Sequence, residues 1–128
     1  MNKGGGVNNS TGTAIVQNSV FADNSPGGDC FGTIISSGYN LSSDNTCSFN
    51  GPGNLNNIDP RLGTFGYYGG PTQTIPLLSG SPAIDAGNPS GCTDGHGNLL
   101  KTDQRGMPRP DSEDKSGCDM GAYESQSN

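Results

Sequence analysis

Three aspartates, Asp23, Asp29 and Asp44, stand among short apolar bursts in the first half of the chain. Two carboxylates held across a glycosidic bond are what acid and base cleavage of a sugar chain requires. Lyase-type sites also need a basic residue beside the acids, and residues 4–60 contain none. The three aspartates therefore read as turn caps, and no residue is nominated as catalytic. In the second half, Arg105 of "TDQRG" adjoins Asp103, and Asp85, Asp119 and Glu124 lie in neighbouring motifs. As a functional group Arg105 would clamp a substrate. As a structural group it pairs bidentately with one or two of those carboxylates and ties three loops together, and this is the favoured reading.

The loop "CTDGHGN" holds the only metal candidates, with Asp94 and Asn98 as oxygen ligands for calcium. It lacks the alternating acids and closing Glu of a calcium-binding loop, so no cofactor is expected. His96 has no nucleophile or base pattern around it and reads as a solvated loop residue. Tyr67 and Tyr68 of "GYYGG" are two adjacent rings of a kind that stacks on sugars; the competing reading puts one over an apolar column and the other on the surface.

The elements that position these groups must be built with little apolar material. Hydrophobic residues are 28% of the 128 residues, too few for a conventional two-layer core. Charged residues are only 14%, which is not the composition of a disordered chain. A fold that buries a thin apolar column under polar faces fits both figures. The net charge of −6 and the scattered basic residues argue against nucleic acid and anionic membrane surfaces as partners. The sequence contains neither an apolar run long enough for membrane insertion nor a signal-peptide pattern, so an exported parent would make Met1 a fragment boundary.

Cys30, Cys47, Cys92 and Cys118 form no CxxC pair, and only one histidine accompanies them, which disfavours zinc. An even count in a core-poor chain reads as two disulfides in an oxidising compartment, the competing reading being four buried thiols in a cytosolic protein. Of the three connectivities, Cys30–Cys47 with Cys92–Cys118 is favoured because each pair brackets one local segment.

Residues 1–12 are rich in Gly and Asn and are expected to form a flexible lead-in or partial turn. "TAIVQNSVFADN" and "TIISSGYNLSSDN" then share a rhythm: Ile15-Val16 superpose on Ile34-Ile35, Val20 falls on Tyr39, and Asn24 on Asn45. A period near 20 suits a solenoid of short strands with Asn and Gly at the bends; a β-sandwich is the competing fold. Residues 48–63 read as a turn cluster, after which the rhythm stops. Helix content is expected to be low throughout.

The series "NIDPRLGTFGYYGGPTQTIPLLSGSPAIDAGNPSGC", "TDQRGMPRP" and "CDMGAYE" resembles the C-terminal region of bacterial secreted right-handed parallel β-helix proteins of the choice-of-anchor Q type. The likeness covers about residues 56–124, with "NSVFADN" and "SSGYNLSSDN" as the last helical turns. It implies an all-β chain: a right-handed parallel β-helix over residues 13–58, a loop-rich C-terminal capping unit over 59–124, and a tail at 125–128. Leu77, Leu78, Ile84 and Ala86 would then plug the apolar column, with Pro71, Pro76 and Pro82 turning the chain out of its ladder. The implied function is a non-enzymatic structural or adhesive module of an extracellular or cell-surface protein. Its partners would be other β-helix segments or a second copy, with surface polysaccharide as a further candidate. The runner-up is a carbohydrate-binding domain or a polysaccharide lyase or hydrolase.

Overall fold

The computed structural model describes residues 3–111 and 117–126, and it is all-β, with no helix among them. Contacts divide the chain into two compact units, Met1–Pro60 and Arg61–Asn128.

Five strands occupy the first unit: β1 (Val7–Val16), β2 (Val20–Phe21), β3 (Cys30–Ser36), β4 (Leu41–Ser42) and β5 (Leu55–Asn56). All pairing between them is parallel. β1 lies beside β3, while β2, β4 and β5 form a second sheet in that order. From β1 to β4 the chain alternates between the two sheets, β3 beside β1 and β4 beside β2, and β5 then joins β4 in the second sheet with no strand of the first between them.

The register differs from the expected superposition by one residue in the first sheet and by two in the second. Ile15 pairs with Ile35 and Val16 with Ser36, while Val20 pairs with Leu41 and not Tyr39. A one-residue shift exchanges the two faces of a strand. Ile15 and Ile35 accordingly stack on each other on the outside, 62% and 47% exposed, while Val16 and Ile34 pack inward. Tyr39 instead takes a bend with φ of 62°. The lead-in is also more ordered than expected, since residues 7–12 belong to β1. Within the turn cluster, Leu55 and Asn56 form β5, so parallel pairing continues beyond residue 48.

The core of this unit is as thin as the composition requires. Cys30, Cys47 and Phe49 are buried, with Val7, Val16, Phe21 and Ile34 packed around them. The Cys30–Cys47 disulfide runs through this cluster, and Phe21 and Phe49 lie 5.7 Å apart between ring centres.

Polar side chains complete the bends. Ser19, Asn40 and Asn54 each precede a paired strand residue of the second sheet. The Ser19 amide donates to Asn40 Oδ1 and the Asn40 amide to Asn54 Oδ1, both at 3.0 Å. Asn40 is fully buried and its Nδ2 donates to the Val16 carbonyl and to Ser36 Oγ. Asparagine suits these positions because one planar amide both donates and accepts, closing bends that have no ladder partner.

The second unit has no strand among its described residues. Isolated antiparallel bridges pin it instead, at Leu62 with Leu77, Gly66 with Thr74, Thr93 with Leu99, and Thr102 with Pro108. Its buried apolar groups are Leu77, Ala83, Met120 and the Cys92–Cys118 disulfide. Of the expected plug, Leu77 is buried and Ile84 and Ala86 half-buried, but Leu78 is exposed at 47%. The reason is local: the Leu78 amide donates to Arg61 and its carbonyl accepts from Ser81, so residues 78–81 form a surface turn. Gly80, with φ of 82°, occupies the position in that turn that disfavours a side chain. Gly87 has a different reason to be glycine, because a Cβ there would stand 2.6 Å from Cys118 Sγ.

Candidate functional site

The carboxylates of the first unit are taken up by its own bends. Asp29 is fully buried. Its Oδ2 accepts from the Ser42 and Ser43 hydroxyls and from the amides of Ser43 and Asp44, and its Oδ1 from Asn24 Nδ2. Asp44 accepts the Asp29 amide on Oδ2 and the Thr46 amide and hydroxyl on Oδ1. Burial acts to raise the Asp44 carboxyl, but the hydrogen bonds from Thr46 and Asp29 outweigh it and hold it below the usual range. Asp23, Asp44 and Asp59 line a shallow cleft of about 270 Å³.

In the second unit, Arg105 donates from Nε and Nη2 to Asp103 Oδ2 at 2.9 and 2.8 Å. The same guanidinium donates to the carbonyls of Tyr68 and Glu124 and lies 3.7 Å over the Tyr123 ring. Three segments are thereby joined. The carboxylate partner is Asp103, however, and not Asp85, Asp119 or Glu124. Glu124 pairs with Arg109, whose Nε donates to Oε2 at 2.8 Å and whose Nη2 donates to the Gly121 carbonyl. Asp119 accepts backbone amides at 2.7 Å from Asp85 on Oδ1 and from Ser125 on Oδ2.

These buried acids are tuned in opposite directions. For Asp103, burial is outweighed by the amides of Glu124, Met107 and Arg105 and by the guanidinium, so the carboxyl is lowered. For Glu124, burial and then the charge of Asp119 outweigh Arg109 and push the carboxyl up to about 7. Glu124 Oε1 is buried without a hydrogen-bond partner, which fits a group held partly against its ionised form.

Arg109 and Tyr123 escaped the sequence reading. Arg109 sits between Pro108 and Pro110, and an arginine held in so constrained a backbone was the available signal. Tyr123 carried none, because its contacts come from segments distant in sequence.

The two adjacent tyrosines diverge. Tyr68 donates its hydroxyl to the Thr64 carbonyl at 2.6 Å and meets the Tyr123 ring edge-on, whereas Tyr67 is 70% exposed. At the loop that holds the calcium candidates, Asp94 Oδ1 accepts the amides of His96 and Asn98, and Oδ2 accepts from Asn98 Nδ2. The Asn98 amide leads the lowering of the Asp94 carboxyl. Asn98 thus serves Asp94 as a donor across the loop neck, beside the Thr93–Leu99 bridge. Among the described residues, no group of three His, Cys, Asp or Glu is disposed to hold a metal ion, and no helix is long and apolar enough to cross a membrane.

A larger cleft, about 410 Å³, opens along the "LLSGSPAID" segment. Leu77 and Ile84 line it with apolar surface, Ser79, Ser81 and Ser125 with hydroxyl-bearing residues, and Asp85 with a carboxylate-bearing one. Asp119 fixes its two sides, since the amides it accepts belong to Asp85 on one and Ser125 on the other. No protein-family model, curated protein or solved structure matches the chain.

Proposed function

We propose that the chain is a non-enzymatic structural or adhesive module of a secreted or cell-surface bacterial protein. In this reading the first unit is the last part of a right-handed parallel β-helix of the choice-of-anchor Q type, and the second unit ends the run of parallel turns. The observation that carries it is that all pairing between the five strands is parallel, with β1 to β4 falling alternately in two sheets. Two disulfides support an oxidising environment outside the cytoplasm.

β1 pairs on one side with β3, and its outward face presents Ile15 beside Ile35. A strand edge next to stacked apolar residues is a surface on which another parallel turn can be laid, from a longer β-helix or from a second copy. Light scattering on the eluting protein tests this. Concentration-dependent assembly that Ile15→Lys abolishes is the expected result; a monomer at all concentrations, unable to bind a β-helix segment, overturns it. The carboxylates of Asp29 and Asp44 serve as bend acceptors, which favours this reading over polysaccharide cleavage.

A further inference from the structure

We propose that Asn50 and Gly51 form a self-modification site, at which the exposed turn before β5 converts asparagine to isoaspartate without an enzyme and thereby loosens the last parallel turn. An asparagine followed by glycine is thermolabile because no Cβ on the second residue shields its amide nitrogen. That nitrogen gives its proton to solvent and bonds to Asn50 Cγ, and the side-chain nitrogen leaves as ammonia, which closes a succinimide ring. Water then opens the ring in one of two ways. Breaking the new bond to Cγ gives aspartate, whereas breaking the original peptide bond gives isoaspartate, in which the main chain runs through Cβ and Cγ.

The structure singles out this pair. Asn50 and Gly51 are both exposed, and among the described residues neither the Asn50 carboxamide nor the Gly51 amide has a hydrogen-bond partner. A Cβ placed on Gly51 would meet only Asn54 Nδ2, at 3.6 Å, so the approach to its nitrogen is uncrowded. Other asparagines that precede a small or hydroxyl-bearing residue are held. Asn9 Nδ2 donates to the Gly12 and Thr33 carbonyls, and Asn24 Nδ2 donates to Asp29. The amides that follow Asn18 and Asn45 donate to Asn40 Oδ1 and Asp44 Oδ1. Asp94, which also precedes a glycine, has its carboxylate occupied by three donors.

The turn is clamped on both sides of the reacting pair. Phe49 is buried and exchanges hydrogen bonds with the Asn56 side chain. Asn54 Nδ2 donates to the Asn50 and Gly51 carbonyls at 2.9 and 3.3 Å, while its Oδ1 accepts the Asn40 amide and the Ser36 hydroxyl. Isoaspartate adds a carbon to the main chain between Phe49 and Gly51 and turns the Asn50 carbonyl into a pendant carboxylate. Asn54 then loses the two carbonyls that orient it, and the Asn40 amide loses its acceptor. Both products add a negative charge, and neither returns to asparagine in water, so the converted fraction records how long the folded chain has stood.

The test ages the full chain at pH 8 and 37 °C and follows ammonia release, isoaspartyl methyltransferase labelling and peptide maps. Conversion is expected at Asn50 ahead of every other asparagine, and Asn50→Gln is expected to abolish it. In the separated isoaspartate form, exchange at the Asn40 amide should rise about tenfold, while the Gly87 amide of the second unit is unchanged. Freshly made Asn50→Asp carries the charge on an ordinary main chain and should exchange like the parent. Conversion that starts at Asn9, Asn18 or Asn24, or that persists in Asn50→Gln, overturns the assignment of the site. Unchanged exchange at Asn40 in the isoaspartate form, or faster exchange in Asn50→Asp, overturns its action through the lengthened turn.

Discussion

Arg105 and Arg109 each neutralise a buried carboxylate, yet their removal has different consequences because the acids differ. Asp103 is held below the usual carboxylate range and stays charged when its partner is lost. Glu124, pushed up to about 7, escapes by taking a proton. Arg105→Ala should therefore cost about 3–5 kcal/mol at both pH 5 and pH 8, the range for stranding a buried charge. Arg109→Ala should cost at most about 1.4 kcal/mol more at pH 8 than at pH 5, because an acid at about 7 is only one unit from taking up a proton. Urea unfolding at the two pH values checks this, and equal pH dependence for the two variants would sink it. The sign for the parent protein follows from the same groups. Glu124 binds its proton more tightly folded than unfolded, so its contribution is complete below about 4.5 and is lost as pH rises through about 7. The lowered Asp44 and Asp103 contribute above about 3.8 and lose their share as pH falls through their depressed values.

At the scale of the element, the bends decide the architecture more than the strands do. β2, β4 and β5 have two residues each, too short to specify register through side-chain pattern alone. Asn40 supplies what they lack. Asn40→Ala would leave the Ser19 amide and the Val16 carbonyl without this partner, at a cost of about 1–3 kcal/mol for each group that stays unsatisfied. Native-state hydrogen exchange should show protection lost first at Ser19; retained protection there would mean the ladder is dispensable. The use of Asn and Gly at bends was legible in the sequence, because few other residues combine compact polar side chains with left-handed backbone. The register was not. Paired residues are separated by 23 positions at Val7 and Cys30, 20 at Ala14 and Ile34, 21 at Val20 and Leu41, and 14 at Leu41 and Leu55. A single period fitted to such unequal turns misplaces the pairs, and an irregularity inside β1 between Asn9 and Ala14 shifts them further. β5 was hidden for a related reason, since two residues flanked by turn dipeptides carry no strand signal.

Across the whole molecule, two short covalent links and several buried charges replace the core that the composition denies. The disulfide partners were legible because Cys30–Cys47 and Cys92–Cys118 each close a local segment, with sequence separations of 17 and 26. Each loop closure is worth roughly 3 kcal/mol in the chain-entropy model, a substantial part of what a unit this small has to spare. Replacing Cys92 and Cys118 together by serine should lower the stability of the second unit by that order, read as lost exchange protection at the Gly87 and Leu100 amides. Those amides donate to Cys118 and Cys92 carbonyls, so unchanged protection would show that the bridges, and not the crosslink, hold the segment. The Glu124–Arg109 pair was illegible at this scale. The charges were visible, but which acid meets which base depends on how three loops close.

The asparagine ladder of the first unit has a direction. Ser19 hands its amide proton forward to Asn40, and Asn40 hands its own forward to Asn54. Each turn is finished only by a residue that comes later in the chain. During synthesis the earlier turn leaves the ribosome with its bend still dependent on water, and it closes when the following one arrives. A nascent chain stopped between Asn40 and Asn54 would hold the acceptor for the Ser19 amide but leave the Asn40 amide waiting for its own.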